Sequence, residues 1–250
     1  MKKILLATAV TSAMLLPTLA AADLSATAGI VSDYTFNGVS QTDNGPALQL
    51  GLDYGTDDFY AGTWVSNVDF GDDTNLEWDF YLGQYFQVSQ ALSVDTGIAY
   101  YTYHGQNKVD ESFPGADDGA TASDDGAYAE VYGKFGFASG VGFTELNLWY
   151  AWDYFGAGEN HAITMLAHSY EVAEGHTLRL SVDQSMYMDS DVKEWYGESS
   201  YTHYRLGYET SVKGFDLSLA VETTDVDEDL DTENTADARV VVGVSHTYAF

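Results

Sequence analysis

The chain contains no cysteine. Disulfide frameworks, iron–sulfur clusters and thiolate zinc sites are therefore excluded. Basic residues are scarce, nine Lys and Arg against 39 Asp and Glu, for a formal net charge of −30. A surface of this sign repels nucleic-acid phosphate, so no nucleic-acid partner is expected. Beyond residue 22 there is no long apolar run. That argues against helical membrane spans but leaves open a membrane-crossing sheet, whose strands alternate in hydropathy.

What is present begins with Lys2 and Lys3, an apolar run and the small residues Ala20 to Ala22. This is the pattern of a secretory signal peptide over residues 1–22, with a cut before Asp23 or, as an alternative, after Ala20. Residues 23–250 then form one domain. Without the two leader lysines the balance is seven bases against 39 acids, a net charge of −32. Low hydrophobicity with high charge can mean disorder. Here 14% of residues are aromatic, 19 of them Tyr, and they recur with period two.

The alternation defines strands. Leu24, Ala26, Ala28, Ile30, Tyr34 and Phe36 share one side of a first segment, 24–36, with Ser25, Thr27, Val31, Asp33 and Thr35 on the other. Segments 46–54, 59–68, 75–86, 92–103, 127–137, 143–154, 161–170, 177–188, 201–212, 215–224 and 238–250 follow. The faces of 59–68 are ambiguous, and Tyr154 falls on the apolar side of 143–154. Short connections alternate with longer ones at 37–45, 69–74, 104–126, 155–160, 189–199 and 225–236. Short turns on one side, longer loops on the other and most strands of roughly 9–11 residues are the rhythm of an outer-membrane barrel. Soluble sandwich strands average roughly 5–6 residues. The expected fold is all-β, a 12-stranded antiparallel transmembrane β-barrel. Lipid offers no partner for a sheet edge, so 238–250 must close against 24–36, with Tyr248 and Phe250 in the periplasmic aromatic girdle. A terminal aromatic on such a strand resembles the signal read by the barrel assembly machinery.

The first hairpin carries more than a pattern. Ser32-Asp33-Tyr34, Phe36, Gly38, Ser40, Gln41, Thr42, Pro46-Ala47, Tyr60-Ala61-Gly62, Trp64, Ser66 and Asn67 occur in an order and spacing that resemble the TorF family of Gram-negative outer-membrane porins. The resemblance spans about 45 residues of the sequence. It implies a membrane, a barrel and a transport role, with no catalytic residue to carry over. Asn37 stands where that family more often places an arginine, so an anionic site built on that arginine would be missing here.

Facing the apolar side, the lumen is expected to hold Asp33, Asp53, Glu77, Asp79, Asp95, Glu130, Glu145, Asp183, Glu209 and Glu222 with only Lys134, Arg179, Arg205 and Arg239 as bases. Carboxylates lining a pore favour cations over anions. Facing acids and bases can also plug a narrow barrel with ion pairs. Tyr81, Tyr85, Tyr101, Tyr128 and Tyr132 offer flat faces for a sugar or nucleoside, or simple wall filler. On the outer loops, Asp117, Asp118, Asp124 and Asp125, and Asp227, Glu228, Asp229 and Asp231, are oxygen-rich groups that suit a loose layer of divalent cations. Neither loop has EF-hand spacing.

The function these patterns imply is a passive porin for small cationic or neutral hydrophilic solutes, needing no cofactor. Its partners would be outer-membrane lipids and lipopolysaccharide, the assembly machinery and its solutes, with the oligomeric state open. A non-conducting barrel displaying acidic loops is one alternative. An outer-membrane hydrolase is the other. His203 could face Ser181 or Ser218, whereas His168 and Ser169, being adjacent on a strand, point to opposite faces. The long 104–126 loop could fold inward or lie outside.

Overall fold

The computed structural model describes residues 23–105, 126–189 and 197–250 apart from 228, 230 and 232. Its strands in chain order are β1 (Asp23–Val31), β2 (Thr35–Phe36), β3 (Val39–Ser40), β4 (Ala47–Gly55), β5 (Phe59–Asn67), β6 (Leu76–Gln87) and β7 (Leu92–His104). There follow β8 (Tyr128–Ser139), β9 (Gly142–Ala151), β10 (His161–Ala173), β11 (His176–Tyr187), β12 (Ser200–Val212), β13 (Phe215–Thr224) and β14 (Arg239–Ala249). All but the short β2–β3 pair join one closed antiparallel barrel of twelve strands.

Closure is made by β1 against β14, in register from Ser25↔Ala249 to Val31↔Gly243. The Phe250 amide extends the seam to the Leu24 carbonyl at 2.9 Å. Each unpaired peptide group in hydrocarbon costs several kcal/mol, so an open seam of this length would outweigh the net stability of a typical domain.

The two-residue period sorts the side chains. Leu48, Leu50, Leu52 and Tyr54 of β4 are exposed on the outer face, while Gln49 and Asp53 are buried inside. In mid-wall, Leu206 pairs laterally with Leu180 and Val221, all three outward and exposed. Tyr54, Phe59, Phe86, Phe137, Tyr170, Phe215, Tyr248 and Phe250 are also exposed and sit near the short turns or the C-terminal end of β14. An apolar outer band with an aromatic girdle on a closed wall is the architecture of an outer-membrane barrel. Among the described residues no helix is long and apolar enough to cross a membrane.

Two expectations fail at the end of the barrel opposite the short turns. The first strand does not run from 24 to 36. It stops at Val31, and within the connection 32–46 the residues 33–42 fold inward instead of forming an outer loop. Tyr34, expected on the lipid side, is buried. The cause is local: Asn37 and Gly38 both take positive φ, 47° and 83°, and close the two-residue turn between β2 and β3. Asn-Gly is the dipeptide that such a turn favours. Likewise β9 ends at Ala151, and Tyr154 enters a short 3-10 turn, Tyr154–Gly156, that carries it into the barrel, 1% exposed. The 104–126 loop lies almost wholly outside the described residues.

Candidate functional site

The interior wall is built in two halves of different chemistry. From β4 to β8 its carboxylates are held by tyrosines. Tyr81 donates to Asp53. Tyr60 donates to Asp95 at 2.7 Å and shares a 2.6 Å contact with the Tyr132 hydroxyl. Tyr101 donates to Glu130 at 3.0 Å, and Tyr103 to Glu77 at 3.2 Å. Asp79 is buried, and its Oδ1 has no hydrogen-bond partner among the described residues.

From β9 to β14 the carboxylates are held by bases. Arg179 pairs with Glu145 and donates to Ser169 Oγ at 3.0 Å. Arg205 pairs with Glu222. His203 Nδ1 lies 2.8 Å from Asp183, and its Nε2 lies 3.6 Å from Glu222. Arg239 donates to Asp33 at 2.7 Å. Glu209 is half-buried within electrostatic reach of Arg179 and Arg205. Lys134, at the boundary between halves, rests its ammonium 4.7 Å from the Tyr132 ring centroid. Of the acids and bases expected in the lumen, Lys134, Glu145, Glu209 and Arg239 are half-buried and the others are buried. Asp33 arrives from the inward segment and not from a strand.

Tyrosine rings lie flat because glycine stands opposite them. Gly62 pairs with Tyr81, Gly83 with Tyr60, and Gly97 with Tyr132. A Cβ on Gly62 would fall 2.6 Å from the Tyr81 ring. Tyr101 and Tyr128 stack on each other with centroids 4.7 Å apart. Tyr81, Tyr101, Tyr128 and Tyr132 are all buried, so their faces are already covered by protein. Tyr85 is half-buried near the short turns and donates to Gln87 at 2.9 Å.

The inward segment 32–46 crosses the lumen as a bar. At its stem Asp33 accepts from Arg239 and from Ser40 Oγ at 2.6 Å, and Thr42 bridges to Asp69. Tyr34 packs edge-on against Trp64 of β5, with centroids 5.2 Å apart, and lies within electrostatic reach of Glu77 of β6. At its tip the Asn37 amide donates to Ser185 Oγ of β11 at 3.0 Å. Gly38 lies against the wall so closely that a Cβ would be 2.6 Å from His203 Cδ2 and 2.7 Å from Thr224 Cγ2. The bar thus reaches from β5 and β6 on one side to β11, β12 and β13 on the other. The Tyr154–Gly156 turn fills the remaining arc. Tyr154 stacks on His161 at 4.0 Å, and Phe155 on Tyr103 at 5.3 Å.

Tyr34, Trp64, Tyr154 and His161 were not among the expected site residues. The Asn-Gly turn signalled the bar. The faces of β5 become unambiguous once Tyr60 and Gly62 are set opposite Gly83 and Tyr81.

The hydrolase expectation finds no support in His203, whose ring nitrogens face Asp183 and Glu222 and not Ser181 or Ser218. His168 and Ser169 diverge, toward Thr144 and Arg179 respectively. The outer-loop carboxylate Asp231 is spent on its own turn, accepting from the Thr235 and Ala236 amides at 3.0 and 2.7 Å. Asp227 Oδ1 accepts from the Asp229 amide at 3.0 Å. Asp117, Asp118, Asp124, Asp125 and Glu228 lie outside the described residues. Among the described residues no group of three His, Asp or Glu has the arrangement to hold a metal ion.

A closed twelve-strand wall with an apolar outer band defines an outer-membrane β-barrel. The fold is shared with the KdgM porin (TM-score 0.55, 10% identity, over 90% of this chain and 99% of that one). It is shared also with the NanC porin (0.55, 9% identity, 90% and 98%) and with the COG4313 outer membrane channel from Pseudomonas putida F1 (0.54, 10%, 93% and 97%). The chain belongs to the Gcw_chp family, described as a bacterial protein of unknown function, whose family model matches residues 18–248. No curated protein matches the sequence.

Proposed function

We propose that this protein is a passive diffusion channel in the outer membrane of a Gram-negative bacterium, passing small cationic or neutral hydrophilic solutes. Residues 1–22 direct its export and are removed. The assembly machinery reads the aromatic end of β14, and lipid and lipopolysaccharide cover the outer face. The TorF resemblance of the first hairpin and the shared porin fold both support a transport role.

The observation that carries the proposal is the asymmetry of charge inside the wall. Each arginine and His203 already faces a carboxylate, whereas Asp53, Glu77, Asp95 and Glu130 accept from phenols and Asp79 Oδ1 has no hydrogen-bond partner among the described residues. Lys134 lies within electrostatic reach of Asp95 and Glu130. The interior therefore carries more acidic than basic side chains on β4–β8, and carboxylates lining a pore favour cations over anions. The test is the current through the refolded protein in a planar bilayer with a salt gradient. Discrete steps with a cation-preferring zero-current potential support the channel.

A second reading is favoured by one observation. Asn37, Glu130, Tyr154, His161, Ser185, His203 and Glu222 are each no more than 8% exposed, so the lumen is filled at the level of the bar. A non-conducting barrel that displays acidic loops fits that fact. Folded protein that never passes current would favour it.

A further inference from the structure

Resting on the channel reading, we propose that segment 32–46 is a gate: an internal bar, hinged at its stem, whose tip leaves the β11–β13 wall to open the lumen. Solute cannot pass this level while the bar is seated, because the side chains on both sides of it are buried. Something must move, and the contacts decide what.

The Tyr154–Gly156 turn belongs to the main buried cluster of the interior, packed with Tyr128, Tyr187 and Tyr103. Its Tyr154 ring also stacks on His161. Moving it would unstack several aromatic rings at once. The stem of the bar is tied by the Asp33–Arg239 ion pair, by Ser40 and Thr42 on Asp33, and by backbone bonds from Gln41 to Tyr34 and from Asp69 to Gln41. Among the described residues the tip holds less: the Asn37–Ser185 hydrogen bond, the contact of Gly38 with His203 and Thr224, the backbone bond from the Ser40 amide to Thr235, and a small cluster of Val39, Tyr201 and Ala236 backed by Val226. The tip is the weakest of the three attachments, so it opens first.

The fit at Gly38 depends on the absence of a side chain. Its φ of +83° strains any other residue, and a Cβ there meets His203 and Thr224 well inside contact distance. A larger residue at 38 cannot seat, which gives a variant that favours the open state without touching the interior carboxylates.

The absence of cysteine allows a direct test on the full chain. Asn37→Cys with Ser185→Cys, joined by a short thiol-specific cross-linker, fixes the tip to β11. Gly38→Val frees it. In a planar bilayer the linked protein should show an open probability lower by about tenfold or more, recovered when the linker is cleaved, while Gly38→Val shows a higher one than the parent. A charge-neutral thiol reagent on each single-cysteine variant controls for the modification itself. Heat-shifted migration on gels confirms that each variant retains its folded barrel. Linked and unlinked proteins that conduct alike would overturn the gate and leave the channel standing. No current from the parent, from Gly38→Val or from the cleaved double variant, all folded, would overturn the channel and the gate with it.

Discussion

Asn37 and Ser185 meet across the lumen, the amide donating to the hydroxyl at 3.0 Å over a separation of 148 residues. One lies at the tip of the first inward turn, the other on the inner face of β11. The contact fixes how far the bar reaches, and it exists only because the chain leaves the wall at Val31.

The stem should matter more to stability than the tip. Arg239→Met leaves the Asp33 carboxylate buried without its base, and removal of one partner of such a pair costs about 3–5 kcal/mol. Asp33→Asn combined with Arg239→Met should recover a large part of that loss. Urea titration of tryptophan fluorescence in lipid vesicles reads both. Additive losses would show that the pair is not coupled.

The flat tyrosines give a second test. Gly62→Ala forces a methyl into the Tyr81 ring, at an expected cost of about 1–3 kcal/mol for overpacking. In a Tyr81→Ala background the same change should cost little, because the ring is gone. Equal costs in both backgrounds would mean that the ring does not rest on the glycine.

The outer face is tested at Leu206, an exposed residue flanked by Leu180 and Val221. Leu206→Arg should destabilise the vesicle-embedded barrel by about 2–4 kcal/mol, the depth-dependent cost of a base near the bilayer midplane. Leu206→Ile should stay within about 1.5 kcal/mol. A neutral Leu206→Arg would mean that this face does not meet lipid.

The sequence and the structure agree wherever a strand is long and strictly alternating. Apart from the outward Gln84 and Gln184, β4, β6 and β11 carry mostly apolar residues on the outer side and Gln49, Asp, Glu or Arg on the inner one, and a one-residue slip would turn the charges to lipid. The seam between β1 and β14 follows from the same physics, because lipid leaves no edge unpaired. The failures lie where alternation continues past the real end of a strand. Tyr34 and Phe36 keep the period of β1, and Tyr154 keeps the period of β9, yet each belongs to a segment turned inward. Period two reports which side a residue takes within a strand and is silent about whether the strand goes on. The Asn37-Gly38 dipeptide was the stronger signal, since positive φ at both positions stops a strand outright. Partnerships were legible least of all. That Arg179 takes Glu145 across an intervening strand, while Asp95 takes a tyrosine, depends on register and on the room left by glycine.

The most direct measurement is the zero-current potential in a salt gradient of Gly38→Val, with and without Glu77→Gln, Asp79→Asn and Glu130→Gln. The account predicts a cation preference in Gly38→Val alone that shrinks toward the free-solution value when the three carboxylates are neutralised, with the folded barrel intact. An unchanged potential, or an anion preference in Gly38→Val alone, would contradict the claim that these side chains line the path of the solute.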